Sequence, residues 1–330
     1  MVRRPEKPLE FRRIERFLAP LASRLPGACG LKDDAAALTV TQGQELIVTT
    51  DTIVATVHFM GDEPAGDIAA KLLRVSLSDL ASMGAKPLCY TLNLALSAGT
   101  PDDWLEAFCA GLAAEQERFA IALAGGDTVA TPGPMTLTCT MFGETPSGMA
   151  LRRNRAVAGE TVYVSGTIGD GALGLLAVRG EVTLADAALQ QSLVECYRRP
   201  EPRVVLGQGL VGLASAAVDI SDGLVGDLAH VADASGVQIT IMLESVPLSQ
   251  AASEALQADP ELLATVLTGG DDYEIAFTAP EPNQGQIMAT ARAAGLDISP
   301  IGRVEAGSGV QVIASDGRPL DLDHLGYSHG

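Results

Sequence analysis

Residues 216–228 read AAVDISDGLVGDL, and this run sets the fold class. Ala216 to Ile220 has the apolar character of a short strand, with Asp219 near its end. Ser221-Asp222-Gly223 reads as a turn, and from Leu224 the spacing is helical. A strand that ends on an acid, turns through glycine and enters a helix is a unit of α/β proteins. Functional groups of such folds gather at strand ends. The same grammar occurs upstream, where residues 120–128 (AIALAGGDT) carry an apolar strand into Gly125-Gly126-Asp127.

Outward from these two runs, periodicity predicts helices over 9–24, 65–83 and from Asp102 to about Phe119. It predicts strands over 45–50, 88–96, 120–124 and 134–143. In the second half, strands are expected at 161–165, 216–220, 237–242, 273–278 and 298–304, and a helix at 185–197. The stretch 144–160 is rich in glycine, proline and charge and marks the boundary. A chain of 330 residues suits two domains of about 150 residues each. The expected organisation is α/β (α+β) in two domains, 1–148 and 149–330.

The chain is 47% apolar, which excludes disorder as the dominant state. Its formal net charge is −19, from 41 acidic and 22 basic residues. That balance argues against nucleic acid or an anionic membrane as partner, since both need basic surface. Only Lys7, Lys32, Lys71 and Lys86 are lysines. Phosphate, if handled, must be met by arginine, backbone amides or metal ions. Five cysteines without a CxxC pair read as reduced, core-filling thiols. The N-terminal segment mixes acids with arginines, lacks a signal-peptide core and reads as a surface helix capping the first domain. No run of eighteen apolar residues occurs, so the expected location is cytoplasmic.

Six segments place an aspartate in a tight polar or glycine-rich setting. They are Lys32-Asp33-Asp34-Ala35, Thr49-Thr50-Asp51-Thr52, Ser78-Asp79-Leu80, Gly125-Gly126-Asp127-Thr128, Asp219-Ile220-Ser221-Asp222-Gly223 and Gly269-Gly270-Asp271-Asp272-Tyr273-Glu274. For any one of them, Asp with Gly more often marks a turn than a site. Six in one chain, several beside Ser or Thr, point to more. Clustered carboxylates need compensation, and magnesium, which takes oxygen ligands and bridges to phosphates, supplies it.

Other candidates weigh less. Residues 169–174 (GDGALG) fit GxGxxG after a strand, but the next strand with a ribose-binding acid is missing, because 185–197 reads as helix. A glycine turn for tight packing is the preferred meaning. There is no P-loop, no protein-kinase motif set and no GxSxG elbow. His58 follows the Thr-Asp-Thr strand within reach of a ligand, whereas His230 reads as structural and Trp104 as core. Arg152, Arg153 and Arg155 belong either to a solvated linker or to a phosphate contact.

With these residues in view, the chain resembles the thiamine-monophosphate kinase family. Its superfamily includes aminoimidazole ribonucleotide synthetase, selenophosphate synthetase and the hydrogenase maturation factor HypE. The resemblance rests on TTDTIVATVHF (49–59), KLLRVSLSDLASMGAKP (71–87), AGGDT (124–128), RPEPR (199–203), DISDGLVGDL (219–228), TGGDDYEIAF (268–277) and Gly326-Tyr327. It implies an N-terminal domain whose mixed sheet forms a dimeric barrel with a second copy, a C-terminal α/β domain, and an active site in the cleft between them. It implies transfer of phosphate from ATP to thiamine monophosphate with several magnesium ions, and leaves room for potassium. Carried over by position, Asp34, Thr49, Thr50, Asp51, Asp79, Asp127, Asp219 and Asp222 would hold magnesium. Gly126, Asp127, Arg153 and Ser221 would contact ATP, and His58, Asp271 and His324 the thiamine substrate. Asp51, Asp127 and Asp219 would stand closest to the chemistry.

Three positions depart from the family pattern. Lys32 replaces a glycine, Asp271 a glutamate, and His324 an aromatic residue. Two other readings are a different ATP-using enzyme of the superfamily and a non-catalytic acidic binding protein of the same fold. The thiamine-branch motifs speak against the first, and the intact aspartates against the second.

Overall fold

The computed structural model describes residues 9–322 and 324–327; the first eight residues of the N-terminal segment and His329 lie outside them. The chain forms two compact units. One holds the residues up to Leu77 and Pro87–Glu144, the other Ser78–Lys86 and Thr145 onward.

In the first unit the segment expected as one helix is broken into α1 (Leu9–Arg13), a π turn at Ile14–Leu18 and a 3-10 turn at Ala19–Ala22. Pro20 has no N–H to continue an α-helical ladder. The elements that follow are β1 (Gln44–Val54), α2 (Ala65–Ser82), β2 (Lys86–Ser97), α3 (Asp102–Phe119), β3 (Ala122–Thr131) and β4 (Thr136–Pro146). The strands lie in the order β1-β4-β2-β3, with β2 and β3 parallel. Leu72, Leu73 and Leu77 of α2 and Phe108 and Leu112 of α3 are fully buried. The helices cross closely, since a Cβ on Gly111 would come within 2.7 Å of Gly66 Cα. Between them Arg74 and Glu115 form a buried two-pronged ion pair at 2.9 Å. The basic N-terminal segment packs on α3 as a surface element: Arg13 bonds Asp102 at 2.8 Å, and Arg16 and Arg24 pair with Glu106 and Glu117.

The last turn of α2 belongs to the second unit, which continues with β5 (Thr161–Ser165), α4 (Asp170–Arg179), α5 (Ala187–Arg198), α6 (Val204–Leu210), β6 (Ala216–Asp219), α7 (Leu224–Ser235), β7 (Gln238–Met242), α8 (Gln250–Ala258), α9 (Leu262–Thr268), β8 (Ile275–Ala279), α10 (Gln284–Ala293), β9 (Ile298–Glu305) and β10 (Gly309–Ile313). The sheet order is β10-β7-β9-β5-β8-β6, with β10 parallel to β7 and the other pairs antiparallel. Val162, Val164, Val218 and Ile239 share one core with Leu173, Leu224, Leu228 and Val231. Tyr163, Ala217 and Phe277 share another with Leu206, Leu210 and Ile287. Gly207 lets α6 lie against the end of α2, because a Cβ there would stand 1.9 Å from the Ala81 carbonyl oxygen. That contact fixes the turn carrying Ser78 and Asp79.

The strands follow the predicted ones within a few residues, with two differences. β3 runs on through Gly125-Gly126-Asp127 instead of stopping before it, with a register shift at Gly125. β10, a half-exposed strand of five residues, was not predicted. Among the described residues all cysteines are free, and Cys89, Cys109 and Cys139 are buried as expected. Trp104 is half-buried and stacks on Phe108. Among the described residues no helix is long and apolar enough to cross a membrane.

Candidate active-site residues

The first unit holds three of the expected segments. β1 alternates its side chains, so Thr49 and Asp51 share one face and Thr50 and Thr52 the other. Asp51 Oδ2 accepts a hydrogen bond of 2.6 Å from the Ser76 hydroxyl of α2. Thr50 and Thr52 instead meet Thr140 and Thr138 of β4 at 3.0 and 2.8 Å. The Thr50 hydroxyl is therefore turned away from Asp51, although the two residues are neighbours in sequence.

Gly125–Thr128 of β3 and the Asp33-Asp34 loop line one cavity of about 150 Å³. Gly126 has φ +155°, and a Cβ on it would fall 1.9 Å from the Leu92 carbonyl oxygen. Only glycine lets β3 pass so close to β2 here, and Gly126 lines the cavity with backbone alone. Asp127 stays oriented by the Thr128 amide, which donates to its Oδ1 at 2.8 Å. Asp34 is exposed and lines the same cavity. Lys32 has φ −111°, which any residue adopts, so the glycine of the family pattern is not required at this point.

His58 follows a tight turn in which Thr56 is left-handed, at φ +69°. That conformation is strained for a β-branched residue. The Val54 amide donates to His58 Nδ1 at 3.1 Å, which places the neutral ring's proton on Nε2.

In the second unit, Asp219 ends β6 with 2% exposure. Burial pushes its carboxyl well above the usual range, and the Asp79 and Asp227 carboxylates push the same way, while Arg153 pulls it back. Burial likewise lifts Asp227 to about 7, against the hydrogen bond it receives from the Asp222 amide. Three carboxylates thus sit together with one exposed arginine as countercharge. Asp79 and Asp219 suit a hard divalent cation with oxygen ligands, and magnesium fits that pair, whereas Asp227 Oδ2 is taken up by two backbone amides. Asp222 stands close by, its carboxylate within 4.8 Å of ligand atoms on Asp227 and His230. Arg153 lies in a 3-10 turn pinned to α7, where the Ser235 hydroxyl donates to the Arg153 carbonyl at 2.8 Å.

The loop 268–274 packs against the turn at 220–223. The Asp271 amide donates to Ser221 O at 2.9 Å and the Tyr273 amide to Ile220 O at 2.8 Å. Asp271 and Tyr273 are both left-handed, at φ +71° and +52°. Aspartate tolerates that region better than most L-residues, which gives this departure from glutamate a physical basis. The Tyr273 hydroxyl donates to Asp271 Oδ1 at 3.0 Å. His324 Nε2 lies 3.2 Å from the Thr268 hydroxyl, beside the same loop.

Several residues of the site were not singled out from sequence. Asp227 lies on the apolar stripe of α7, three residues after Leu224 and four before Val231; a charge in that stripe was the available signal. Asp272 accepts from the amides of Gly169 and Gly171 at 2.8 and 3.0 Å. The N–H groups that a dinucleotide would need are therefore occupied. A Cβ on Gly171 or Gly174 would strike the Asp271 or Leu193 carbonyl oxygen, at 2.2 and 2.1 Å. The GxGxxG run is a packing device. Glu274 is buried and held by Arg203 and by the Ser165 hydroxyl.

Residues 32–145 match the AIR synthase related protein N-terminal domain, and residues 157–315 match its C-terminal domain. The thiamine-monophosphate kinase of Caulobacter vibrioides is 43% identical over 327 residues, covering 98% of this chain and 91% of that protein. The chain belongs to the thiamine-monophosphate kinase family. The structure of the family's member from Stenotrophomonas maltophilia superposes with a TM-score of 0.80 at 42% identity, covering 88% of this chain and 91% of that one. AaThiL complexed with AMPPCP and TMP gives a TM-score of 0.77 at 29% identity, with 90% and 91% covered. The two-domain mixed α/β fold expected from the resemblance is thus the family fold.

Proposed function

We propose that this chain phosphorylates thiamine monophosphate to thiamine diphosphate at the expense of ATP. The observation that carries the reading is the full-length relationship to a thiamine-monophosphate kinase. The carboxylate groups around Asp51, Asp127 and Asp219 support it, as does the AaThiL complex with AMPPCP and TMP.

The acceptor is a phosphate monoester with a second pKa of about 6, so at pH 7 it is mostly a dianion. It needs no strong base, and the obstacle is repulsion between two phosphates. Catalysis is then positioning and charge neutralisation. In this reading Gly126, Asp127, Arg153 and Ser221 hold ATP, with the bare backbone at Gly126 letting phosphate approach. His58, through Nε2–H, and Asp271 and His324 orient the acceptor. Asp34, Thr49, Thr50, Asp51, Asp79, Asp127, Asp219 and Asp222 are the proposed magnesium holders, and bound magnesium would offset phosphate charge. Thr50 fills this role less readily by its hydroxyl, which Thr140 engages. Asp51, Asp127 and Asp219 are proposed to stand nearest the transferred group.

The phosphoryl group passes in line from ATP to the acceptor oxygen, without a phosphoenzyme. With ATP made chiral at the γ-phosphate, one displacement inverts configuration; retention would overturn direct transfer. The broader test is ATP plus thiamine monophosphate and magnesium, following thiamine diphosphate. Absence of product in a folded sample would overturn the assignment. The reading extends to a cytoplasmic homodimer, to potassium as an accessory cation, and to a first domain (1–148) for ATP, magnesium and dimerisation beside a second (149–330). Exposed Leu46 and Val48 on the edge strand β1 support a pairing surface. Light scattering on the purified protein measures its mass.

A further inference from the structure

The turn between β6 and α7 carries Ser221 and Asp222, which the proposed function gives to ATP and magnesium. Both of their amides donate to a single oxygen, Asp227 Oδ2, at 3.0 Å each. Asp227 is 1% exposed. On its own helix it stands among Leu224, Val225, Leu228 and Val231, all in the core. A carboxylate there gives up its hydration, and the two amides are what it gains. The carbonyl side of the turn is held separately, by the Asp271 and Tyr273 amides on Ser221 O and Ile220 O and by the Tyr327 amide on Asp222 O at 2.9 Å. The turn is thus clasped from two sides, and only the N–H side depends on a side chain.

We propose that Asp227 is a positioning residue: by receiving the Ser221 and Asp222 amides on one oxygen it sets the conformation that aims those two residues at ATP and magnesium. The proposal rests on the reading of Ser221 and Asp222 as ligand contacts. Because one oxygen takes both N–H groups, an asparagine amide oxygen can do the same without charge. Alanine removes the acceptor. Glutamate keeps the charge but sets the acceptor one methylene away.

The test compares Asp227→Ala, Asp227→Asn, Asp227→Glu and Asp222→Asn in the full chain, with thermal melts to establish folding. For each variant, kcat, the KM for ATP and the magnesium concentration for half-maximal rate are measured. Loss of an outer partner of a metal ligand costs roughly 10–100-fold in metal affinity or activity. Asp227→Ala is expected to raise the half-saturating magnesium concentration about tenfold. Asp227→Asn should stay within about threefold of wild type, in keeping with retained hydrogen bonds. A merely structural role would lower the active fraction, and so kcat, with the magnesium dependence unmoved. If Asp227→Ala does not fold, Asp227→Glu takes its place with the same expected shift. A half-saturating concentration within twofold of wild type in the variant without the acceptor overturns the proposal. So does an Asp227→Asn as impaired as Asp227→Ala, because charge then matters, as in a cation held by Asp222, Asp227 and His230. If Asp222→Asn leaves the magnesium dependence unchanged, the ligand reading itself fails and the proposal goes with it. A shift in Asp222→Asn with none in Asp227→Ala overturns the positioning alone.

Discussion

Replacing Glu274 by alanine should destabilise the second unit more than any surface change. Arg203 grips both oxygens of this carboxylate, Nε meeting Oε2 at 2.7 Å and Nη2 meeting Oε1. The side chains are 5% and 16% exposed. The Ser165 hydroxyl donates to Oε2 and also accepts the Ile275 amide, which ties the pair into β5 and β8. Removing one member of a buried pair costs about 3–5 kcal/mol, because the other charge is left dry and unmatched. For a unit of this size about 1 kcal/mol moves the melting temperature by roughly 2–4 °C. Glu274→Ala should therefore lower it by about 6–20 °C, read by circular dichroism at fixed magnesium. The informative measurement is the second step. Adding Arg203→Met removes the orphaned guanidinium, and replacing both members of a buried pair by apolar groups is often close to neutral. The double variant should regain at least about half of the loss. A double variant no more stable than Glu274→Ala would refute the claim that the unpaired charge is the cause.

Asp219→Asn should raise the melting temperature of the metal-free protein at pH 8, because it relieves the burial and repulsion that lift this carboxyl, while product formation is lost; a lower melting temperature would contradict the electrostatic account. Asp51→Asn should abolish turnover with the fold intact, and wild-type rates would refute its assignment. Asp227 titrates near 7 in the fold against an ordinary 3.8, so the folded state holds its proton more tightly. Its stabilising effect is full below about pH 4 and is lost as pH rises through 7. The difference between the two states corresponds to at most about 4 kcal/mol. Urea midpoints at pH 5 and 8 should therefore fall less in Asp227→Asn than in wild type, and equal falls would refute the shift. Gly171→Ala should destabilise by about 1–3 kcal/mol through overpacking, seen as an earlier urea midpoint. A nicotinamide fluorescence signal present in wild type and lost in the variant would show that the glycine turn serves a ligand after all.

The aspartates at strand ends were legible because strand, acid and glycine follow one another in sequence. Asp219, Asp222 and Ser221 needed only local reading. Asp272 was not legible as the filler of the Gly169–Gly171 amides, because about 100 residues separate the partners and nothing local encodes the meeting. The direction of Thr50 was available from strand alternation, but a motif treats neighbours as a set and hides that adjacent side chains point apart. β10 escaped because a short, half-exposed strand has no strong periodicity. Asp227 carried a signal, a charge inside an apolar stripe, which stands out only once the helix phase is fixed.

The N-terminus of α4 has a further consequence for how such chains are read and re-engineered. Asp272 occupies it as a tethered ligand, at an effective concentration on the order of millimolar or above. A free phosphate must compete with a group that never diffuses away. Fingerprint searches see the glycines but not their occupant, so they count this turn as vacant. Shortening or neutralising that one side chain would be the first step for anyone wishing to turn a packing joint into an anion receptor.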